Sequence, residues 1–290
     1  MAGEVPQESL FMRYLSIFHE PLFPFLSTKD ILPGRLVCSE FKETITQYVW
    51  NDINTVILGD ISKWRQCFPK AKAANIKCRS YQFSSPNGRT TKITSDDIKC
   101  LEGIKYLNIS NCNSITDNDF QYLKGIICLI MNNCNYITDK AFEHLSKDLK
   151  RLEVSYCNKI TNKAFPYLTS LKYLNIINNS NITDEAFQYI PGIIELNIAM
   201  CSKITDKAFT YLTKLKALNI SKLRKITPQI FDYDFIKDIF FLVIDECSDD
   251  LICASRELKI KNCYDNWREV GRTKKMLEMC KTTIIRTKIY

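Results

Sequence analysis

Apolar positions in this chain return in a fixed phase. An I/L-x-x-L-x-I/V pattern recurs six times: Ile104, Leu107, Ile109; Ile126, Leu129, Met131; Leu149, Leu152, Val154; Leu171, Leu174, Ile176; Ile193, Leu196, Ile198; Leu215, Leu218, Ile220. Residues two apart, such as Leu107 and Ile109, share one face of an extended chain, so each set predicts a short strand. A polar turn follows each strand. Then comes the dipeptide Ile-Thr, beginning at Ile93, Ile115, Ile137, Ile160, Ile182, Ile204 and Ile226, in steps of 22, 22, 23, 22, 22 and 22 residues. Behind it lies D-x-A-F-x-Y/H-L, as in Asp139 to Leu145. Ala141, Phe142 and Leu145 are spaced three and four apart, which predicts one stripe of a short helix. The threonine is placed as its N-cap, because the hydroxyl can accept from an orphan amide of the first turn. Pro228, directly after Thr227, supports that register, since proline suits the first helical position.

One unit is therefore strand, turn and short helix, and it buries both its sides only by stacking on copies of itself. A period near 22 residues predicts a repeat solenoid. Such folds present an extended surface, so a binding face and a tether are the features to seek.

The flanks are less regular. Ile239, Leu242, Ile244 and Cys247 repeat the strand pattern, and Leu258, Ile260 and Cys263 repeat part of it with no helix expected between. On the other side Ile53, Val56 and Leu58 fit a strand, Ile61, Trp64 and Phe68 a helix face, and Ala71, Ala74 and Ile76 a second strand. Residues 79–92 include Ser84-Ser85-Pro86-Asn87-Gly88, which reads as an exposed loop insertion. Trp267, Val270, Met276, Leu277 and Cys280 lie among Arg and Lys, as a helix covering the end of the array would have them.

Eight residues after the first of each strand set stands Cys112, Cys134, Cys157 or Cys201, with Asn179 and Leu223 in two repeats. The L-x-x-L-x-L-x-x-C core followed by Ile-Thr-Asp resembles the cysteine-containing subclass of leucine-rich repeats, over residues 104–231. The resemblance implies an α/β solenoid, a right-handed leucine-rich-repeat horseshoe. Residues 51–263 are assigned to the solenoid and 264–290 to a C-terminal cap.

Composition narrows the function. The chain has 290 residues, 46% of them hydrophobic, and a formal net charge of +8. Residues 1–60 hold four Lys and Arg against eight Asp and Glu, so the repeats carry the positive surplus. Lysines on a solvated outer face account for that surplus, and no nucleic-acid-binding motif accompanies it. The 13 cysteines include no C-x-x-C pair, and the two histidines are His19 and His144, so no metal site is expected. The recurring cysteines read as buried apolar fillers in a reducing compartment. There is no G-x-G-x-x-G, no P-loop and no G-x-S-x-G, so neither catalysis nor a cofactor is expected. His144 stands where other repeats have tyrosine and reads as a surface or core-edge residue. Glu4 and Glu8 do not fit a secretory signal, and no stretch of about 20 apolar residues predicts a spanning helix. The expected location is intracellular, cytoplasmic or nuclear.

Residues 14–50 resemble an F-box, the helical segment by which substrate receptors attach to SCF ubiquitin ligases. Leu22-Phe23 and Leu26 match its opening, Asp30-Ile31 its Asp-Leu, and Val37-Cys38 its Val-Cys. Phe41 stands for the usual Trp, and Trp50 falls where the family closes with Leu-Trp. Its usual Leu-Pro is Tyr14-Leu15 here, and Pro21, Pro24 and Pro33 fall in or near the expected helices. An all-helical F-box-like segment over residues 1–50 is thus expected ahead of the repeats. The resemblance implies that Leu22, Phe23, Leu26, Leu36, Val37 and Phe41 dock on the ligase adaptor.

A substrate-recognition subunit of an SCF-type ligase is the function this organisation implies. A stand-alone interaction scaffold, with the front helices as a plain cap, is the alternative. In either case strand residues between the inward ones face the open wall and would meet the target. Tyr106, Asn108, Arg151, Glu153, Tyr173, Asn175, Glu195 and Asn197 are the candidates. Tyr106, Arg151 and Tyr173 belong to the residue types that dominate interface energetics. Asparagine recurs at 108, 175, 197 and 219, either as a structural ladder or as a polar recognition row.

Overall fold

A computed structural model of the chain describes residues 27–33, 39–53, 55–57, 60–76, 93–145, 147–257 and 263–264. Helices α1 (Thr28–Ile31) and α2 (Ser39–Gln47) come first. Strand β1 (Val56–Ile57), helix α3 (Ile61–Cys67), strand β2 (Ala73–Ile76) and helix α4 (Ser95–Lys99) follow. The regular strands are β3 (Tyr106–Asn108), β4 (Cys128–Ile130), β5 (Arg151–Glu153), β6 (Tyr173–Asn175), β7 (Glu195–Asn197) and β8 (Ala217–Asn219). Then come β9 (Phe241–Val243), helix α5 (Asp249–Glu257) and β10 (Cys263–Tyr264). All ten strands form one parallel sheet in chain order. Equivalent residues pair: Leu107 with Leu129, Leu129 with Leu152, Leu152 with Leu174, Leu174 with Leu196, Leu196 with Leu218. This is the open parallel sheet of a leucine-rich-repeat solenoid.

The returning segments are 3₁₀ turns rather than α-helices: Asp117–Leu123, Asp139–His144, Asn162–Tyr167, Asp184–Tyr189 and Asp206–Tyr211. Their amides bond three residues back, as from Ala141 N to Thr138 O (3.2 Å) and from Leu145 N to Phe142 O (3.2 Å). A 3₁₀ turn rises about 2.0 Å per residue against about 1.5 Å for an α-helix, so about six residues cover more of the return path. The short turn also accommodates Pro166. Each turn sends one phenylalanine into the core. Phe120, Phe142, Phe165, Phe187 and Phe209 are fully buried, and Phe165 lies 6.1 Å from Phe187, ring to ring. Ala141, Ala164, Ala186 and Ala208 are also fully buried, and a larger side chain there would be overpacked.

Polar groups are satisfied between repeats. The cysteine position donates from its thiol to a carbonyl of the preceding repeat: Cys134 to Ile109 O (3.3 Å), Cys157 to Met131 O (3.2 Å), Cys201 to Ile176 O (3.0 Å) and Cys247 to Ile220 O (3.2 Å). Asn179 does the same with its amide to Val154 O at 2.8 Å, and its carbonyl accepts from Cys157 N at 2.7 Å. Leu223 fills the same place by apolar burial alone. Cys112, in the same column, is instead disulfide-bonded, unlike the thiols expected throughout it. Eight other cysteines among the described residues are free.

The threonine caps form as the sequence implies at four of the 3₁₀ turns but not at Thr183, whose hydroxyl caps no amide. The hydroxyls of Thr138, Thr161, Thr205 and Thr227 each accept from the amide two residues on, at 3.3 Å. A second set of bonds was not anticipated. The aspartate that follows one threonine accepts from the amide and hydroxyl of the next: Asp117 from Thr138, Asp139 from Thr161, Asp184 from Thr205, Asp206 from Thr227. Asn162 takes the same place against Thr183, its carbonyl accepting from the amide at 3.0 Å and its amide donating to the hydroxyl at 2.7 Å.

The residue that opens each turn after a strand is left-handed: Asn111, Asn133, Tyr156, Asn178, Met200, Lys222 and Glu246, with φ between 54 and 65°. Asparagine takes this conformation readily, whereas tyrosine, methionine and lysine pay roughly 1–2 kcal/mol for it.

Three expectations at the flanks change. The inward residue of β1 is Ile57, opposite Ile76, and not Val56, while Leu58 lies outside the described residues. A two-residue strand carries too little alternation to fix its register, and a slip of one reverses the faces. Helix α5 lies between β9 and β10, and Cys263 pairs with Leu242, so the array keeps its period there instead of shortening. The loop insertion at 79–92 and the cap at 264–290 lie outside the described residues, save Tyr264 in β10.

The front helices share the solenoid core. Ile31, Ile45 and Trp50 belong to the same buried cluster as the repeats. Trp50 donates from Nε1 to Ile45 O at 2.9 Å and meets Phe68 edge-on, centroids 5.6 Å apart. Asp52 accepts from the amide of Thr28 at 2.8 Å and from its hydroxyl at 3.2 Å.

Asp184→Ala should lower unfolding free energy by about 1.5–3 kcal/mol, the range for bonds to a charged group. Asp184→Asn should retain most of the stability, because Asn162 already fills this place in its own repeat. Urea denaturation reads both, and equal losses would refute the paired-bond account. A second expectation concerns pH. Burial pushes the Cys134 thiol up to about 12 and the Cys157 and Cys201 thiols up to about 11. An unfolded thiol ionises near its ordinary value of about 8.5 while the folded one stays neutral. Their contribution is therefore intact below that value and is lost as pH rises toward 11. The Cys157→Ala/Cys201→Ala variant should show a shallower fall in stability between pH 9 and 11 than the parent, and an unchanged slope would contradict this.

Candidate functional site

The open wall of the sheet is built from the strand residues whose neighbours point inward. Register lines them up in rows. The first runs Tyr106, Cys128, Arg151, Tyr173, Glu195, Ala217, Phe241, and the second Asn108, Ile130, Glu153, Asn175, Asn197, Asn219, Val243. All eight target-face candidates lie on this wall, and all are half-buried. The wall is not open throughout: Cys128, Ser155, Ala199, Asn219, Ser221 and Val243 are buried.

Arg151 is the most constrained of the eight. Its Nε donates to Glu153 Oε1 at 3.1 Å, Nη2 donates to the same oxygen, and its guanidinium carbon lies 3.5 Å from the Tyr173 ring centroid. Only 13% of the Arg151 side chain and 15% of the Glu153 side chain are exposed. Burial works against the charge, but Tyr173 and Glu153 outweigh it and hold the guanidinium's pKa above its ordinary value. Arg151 is therefore held in place within the wall by Glu153 and Tyr173 rather than freely aimed. Burial beside Cys128 likewise raises the pKa of Tyr106. The cluster is a fixed, nearly neutral platform with one aromatic edge, suited to contact by shape.

The asparagine column has a structural role. The side-chain carbonyl of Asn108, Asn175, Asn197 and Asn219 accepts from the amide two residues on, at 3.0, 3.3, 3.3 and 3.0 Å. That bond turns the chain out of the strand, as a short side-chain amide can. Asparagine just ahead of a turn, two residues before the amide it serves, was the signal in the sequence. What Asn108, Asn175 and Asn197 can offer a ligand is their NH₂ groups, whereas that of Asn219 is buried.

The adaptor-face candidates stand apart from this wall. Leu22, Phe23, Leu26, Leu36 and Val37 lie outside the described residues. Phe41 has its backbone on α2. His144 is half-buried, as expected, and lines an open hollow with Thr116, Asp117, Asn118, Lys140 and Glu143. No helix among the described residues is long and apolar enough to cross a membrane.

No protein-family profile and no curated protein sequence matches the chain. Solved structures similar to it include the TLR13–ssRNA13 complex, at 18% identity and a TM-score of 0.49, covering 69% of this chain and 28% of that one. Another is an internalin, inlF, from Listeria monocytogenes, at 19% identity and 0.49, covering 69% and 62%. A third is the yeast Rad7 and Elc1 complex, at 14% identity and 0.43, covering 90% and 92%. The chain thus spans less than two thirds of the length of the TLR13 and internalin chains, and most of the length of the yeast chain. The fold assignment stands on this chain's own strand order and register.

Arg151→Glu should lower unfolding free energy by roughly 2–4 kcal/mol, because it sets two carboxylates together where little solvent reaches them. Adding Glu153→Lys should recover a substantial part. Chemical denaturation of the two variants tests this, and a single variant as stable as the parent would show that the pair is not a structural unit.

Proposed function

We propose that this chain is the substrate-recognition subunit of an SCF-type, cullin-RING ubiquitin ligase. Residues 1–50 would attach to the adaptor and the solenoid of residues 51–263 would hold the target protein, with 264–290 covering the last repeat. The observation that carries the reading is the order of the F-box-like residues, Leu22-Phe23, Leu26, Asp30-Ile31 and Val37-Cys38, directly ahead of the solenoid.

The way the front segment is joined to the repeats supports it. A receptor of this kind adds no chemistry. It raises the effective concentration of the target near a ubiquitin-loaded enzyme, which needs a fixed geometry between tether and grip. Ile31, Ile45 and Trp50 are buried in the common core, and Asp52 holds the start of α1. Helices α1 and α2 would thereby be held against the wall, and Leu22, Phe23, Leu26, Leu36, Val37 and Phe41 would dock on the adaptor. Tyr106, Asn108, Tyr173, Asn175, Glu195 and Asn197 would contact the target around the Arg151–Glu153 platform.

The same buried contacts favour a second reading, in which the front helices only cap a stand-alone interaction scaffold. A cap must bury Ile31 and Trp50 just as a tether would. Removal of the whole of residues 1–50 is therefore a poor test, since it strips the core. Leu22→Asp/Phe23→Asp in the full chain is better. Pull-down of the adaptor by the parent at micromolar concentration, lost in this variant with thermal stability unchanged, is the expected result. A parent that recovers no adaptor would leave the scaffold reading standing in its place.

A further inference from the structure

The turn that leaves each strand runs along one edge of the solenoid, and the fold does not account for its charges. Segments 111–114, 133–136, 156–159, 178–181, 200–203 and 222–225 contain no aspartate or glutamate. They contain Lys159, Lys203, Lys222, Arg224 and Lys225, all exposed. The 3₁₀ turns behind the sheet differ, since Lys140, Lys163 and Lys207 there stand among more numerous carboxylates. On the opposite edge Lys105 and Lys172 donate to Gly125 O and Gly192 O, and Lys216 pairs with Asp238 at 2.9 Å, while Lys124, Lys147, Lys150 and Lys214 are exposed there and have Asp148 and Asp238 among them.

Four of the five cations lie on two adjacent turns. Neighbouring turns are close enough for Lys203 Nζ to reach Asn181 Oδ1 at 3.5 Å. The counter-charge on the patch is Glu246, 3.2 Å from Lys222, with side chains 42% and 64% exposed. A pair so exposed is weak. The same edge carries apolar surface. Tyr156 and Met200 are exposed at left-handed positions where other repeats place asparagine. Their backbone conformation disfavours these side chains, yet each leaves more than a third of its surface exposed. They follow Ser155 and Ala199 of the wall directly, so the edge and the wall are continuous.

We propose that this edge, centred on Lys203, Lys222, Arg224 and Lys225 with Met200 beside them, docks a short acidic segment of a partner protein. The basic stretch spans two turns, about 10 Å at the spacing of parallel strands. It stops at Glu246 and Asp249 in the next turn. A few carboxylates of an extended peptide fit that length, with an apolar residue on Met200. A nucleic-acid strand would run on into those two carboxylates. The site depends on the solenoid and not on ligase attachment.

The test is fluorescence anisotropy of the full-length protein with a labelled octaglutamate peptide at low salt. Saturable binding is expected. Lys203→Glu/Arg224→Glu/Lys225→Glu should weaken it by on the order of tenfold or more, and added salt should weaken the parent's binding. Lys140→Glu/Lys163→Glu/Lys207→Glu on the back face changes net charge equally and should leave binding within about twofold. No saturable binding by the parent, equal losses in the two variants, or tighter binding of a single-stranded oligonucleotide to the same lysines would each overturn the proposal. Circular dichroism melting of both variants separates loss of the site from loss of the fold.

Discussion

Most polar groups that one repeat leaves open at its turns are closed by a neighbouring repeat, and this constraint governs the molecule. The buried carbonyls of Ile109, Met131, Val154, Ile176 and Ile220 are met from the following repeat by a thiol or an amide. From Thr138 to Thr227 the amide and hydroxyl of each capping threonine are met from the preceding one, whereas Thr94 and Thr116 are met by Asp97 and Asp119 of their own turns. Because a buried polar group left unpaired costs about 1–3 kcal/mol, an error of one residue in the period would be charged several times over. The spacing can drift only where no such bond is made. The one 23-residue step adds its extra residue between Leu145 and Leu149, on the edge opposite the aspartate, thiol and asparagine bonds.

That constraint explains what the sequence discloses. Strand, turn and cap were legible because each position is confirmed by others in phase: Leu107 by Leu129, Thr138 by Thr161. The kind of helix was not, since Ala141, Phe142 and Leu145 fit one turn of either type. The role of Asp184 was hidden because its partner, Thr205, lies a whole repeat away and already had a function as a cap. Where the period fails, so does the reading. Strand β1 has two residues and no Ile-Thr behind it, and α5 has no repeat of its motif to confirm it.

The candidate site was legible as a surface and not as a set of roles. Alternation places Tyr106, Arg151 and Tyr173 on the wall without ambiguity. It says nothing of Arg151 turning along the strand to Glu153, a bond between two residues on the same face. Nor does it separate an asparagine that waits for a ligand from one whose carbonyl holds a turn. Asn175 and Asn197 do the second with their oxygen and keep the first open with their nitrogen.

Subtracting what the fold requires leaves few free positions in each repeat. The inward strand residues, the cysteine place, the isoleucine and threonine, the aspartate, alanine and phenylalanine are all committed. The middle asparagine is half committed. What remains are the first wall row, the left-handed residue and the two positions before Ile-Thr, and there the repeats stop resembling one another. Tyr106, Cys128, Arg151, Tyr173, Glu195 and Ala217 share no property, whereas the middle row keeps returning to asparagine. The left-handed place holds asparagine three times and then accepts Tyr156, Met200 and Lys222 against its own backbone preference. A position that the fold leaves free, yet which is filled at a cost to the fold, is where selection for contact leaves its mark. Strand β2, joined to the front helices through Lys72 and Trp50, is six strand spacings from β8, about 29 Å. Under the proposed attachment, a partner gripped at Lys203 and Lys225 would stand at that remove from the tether, set by the stacking of repeats.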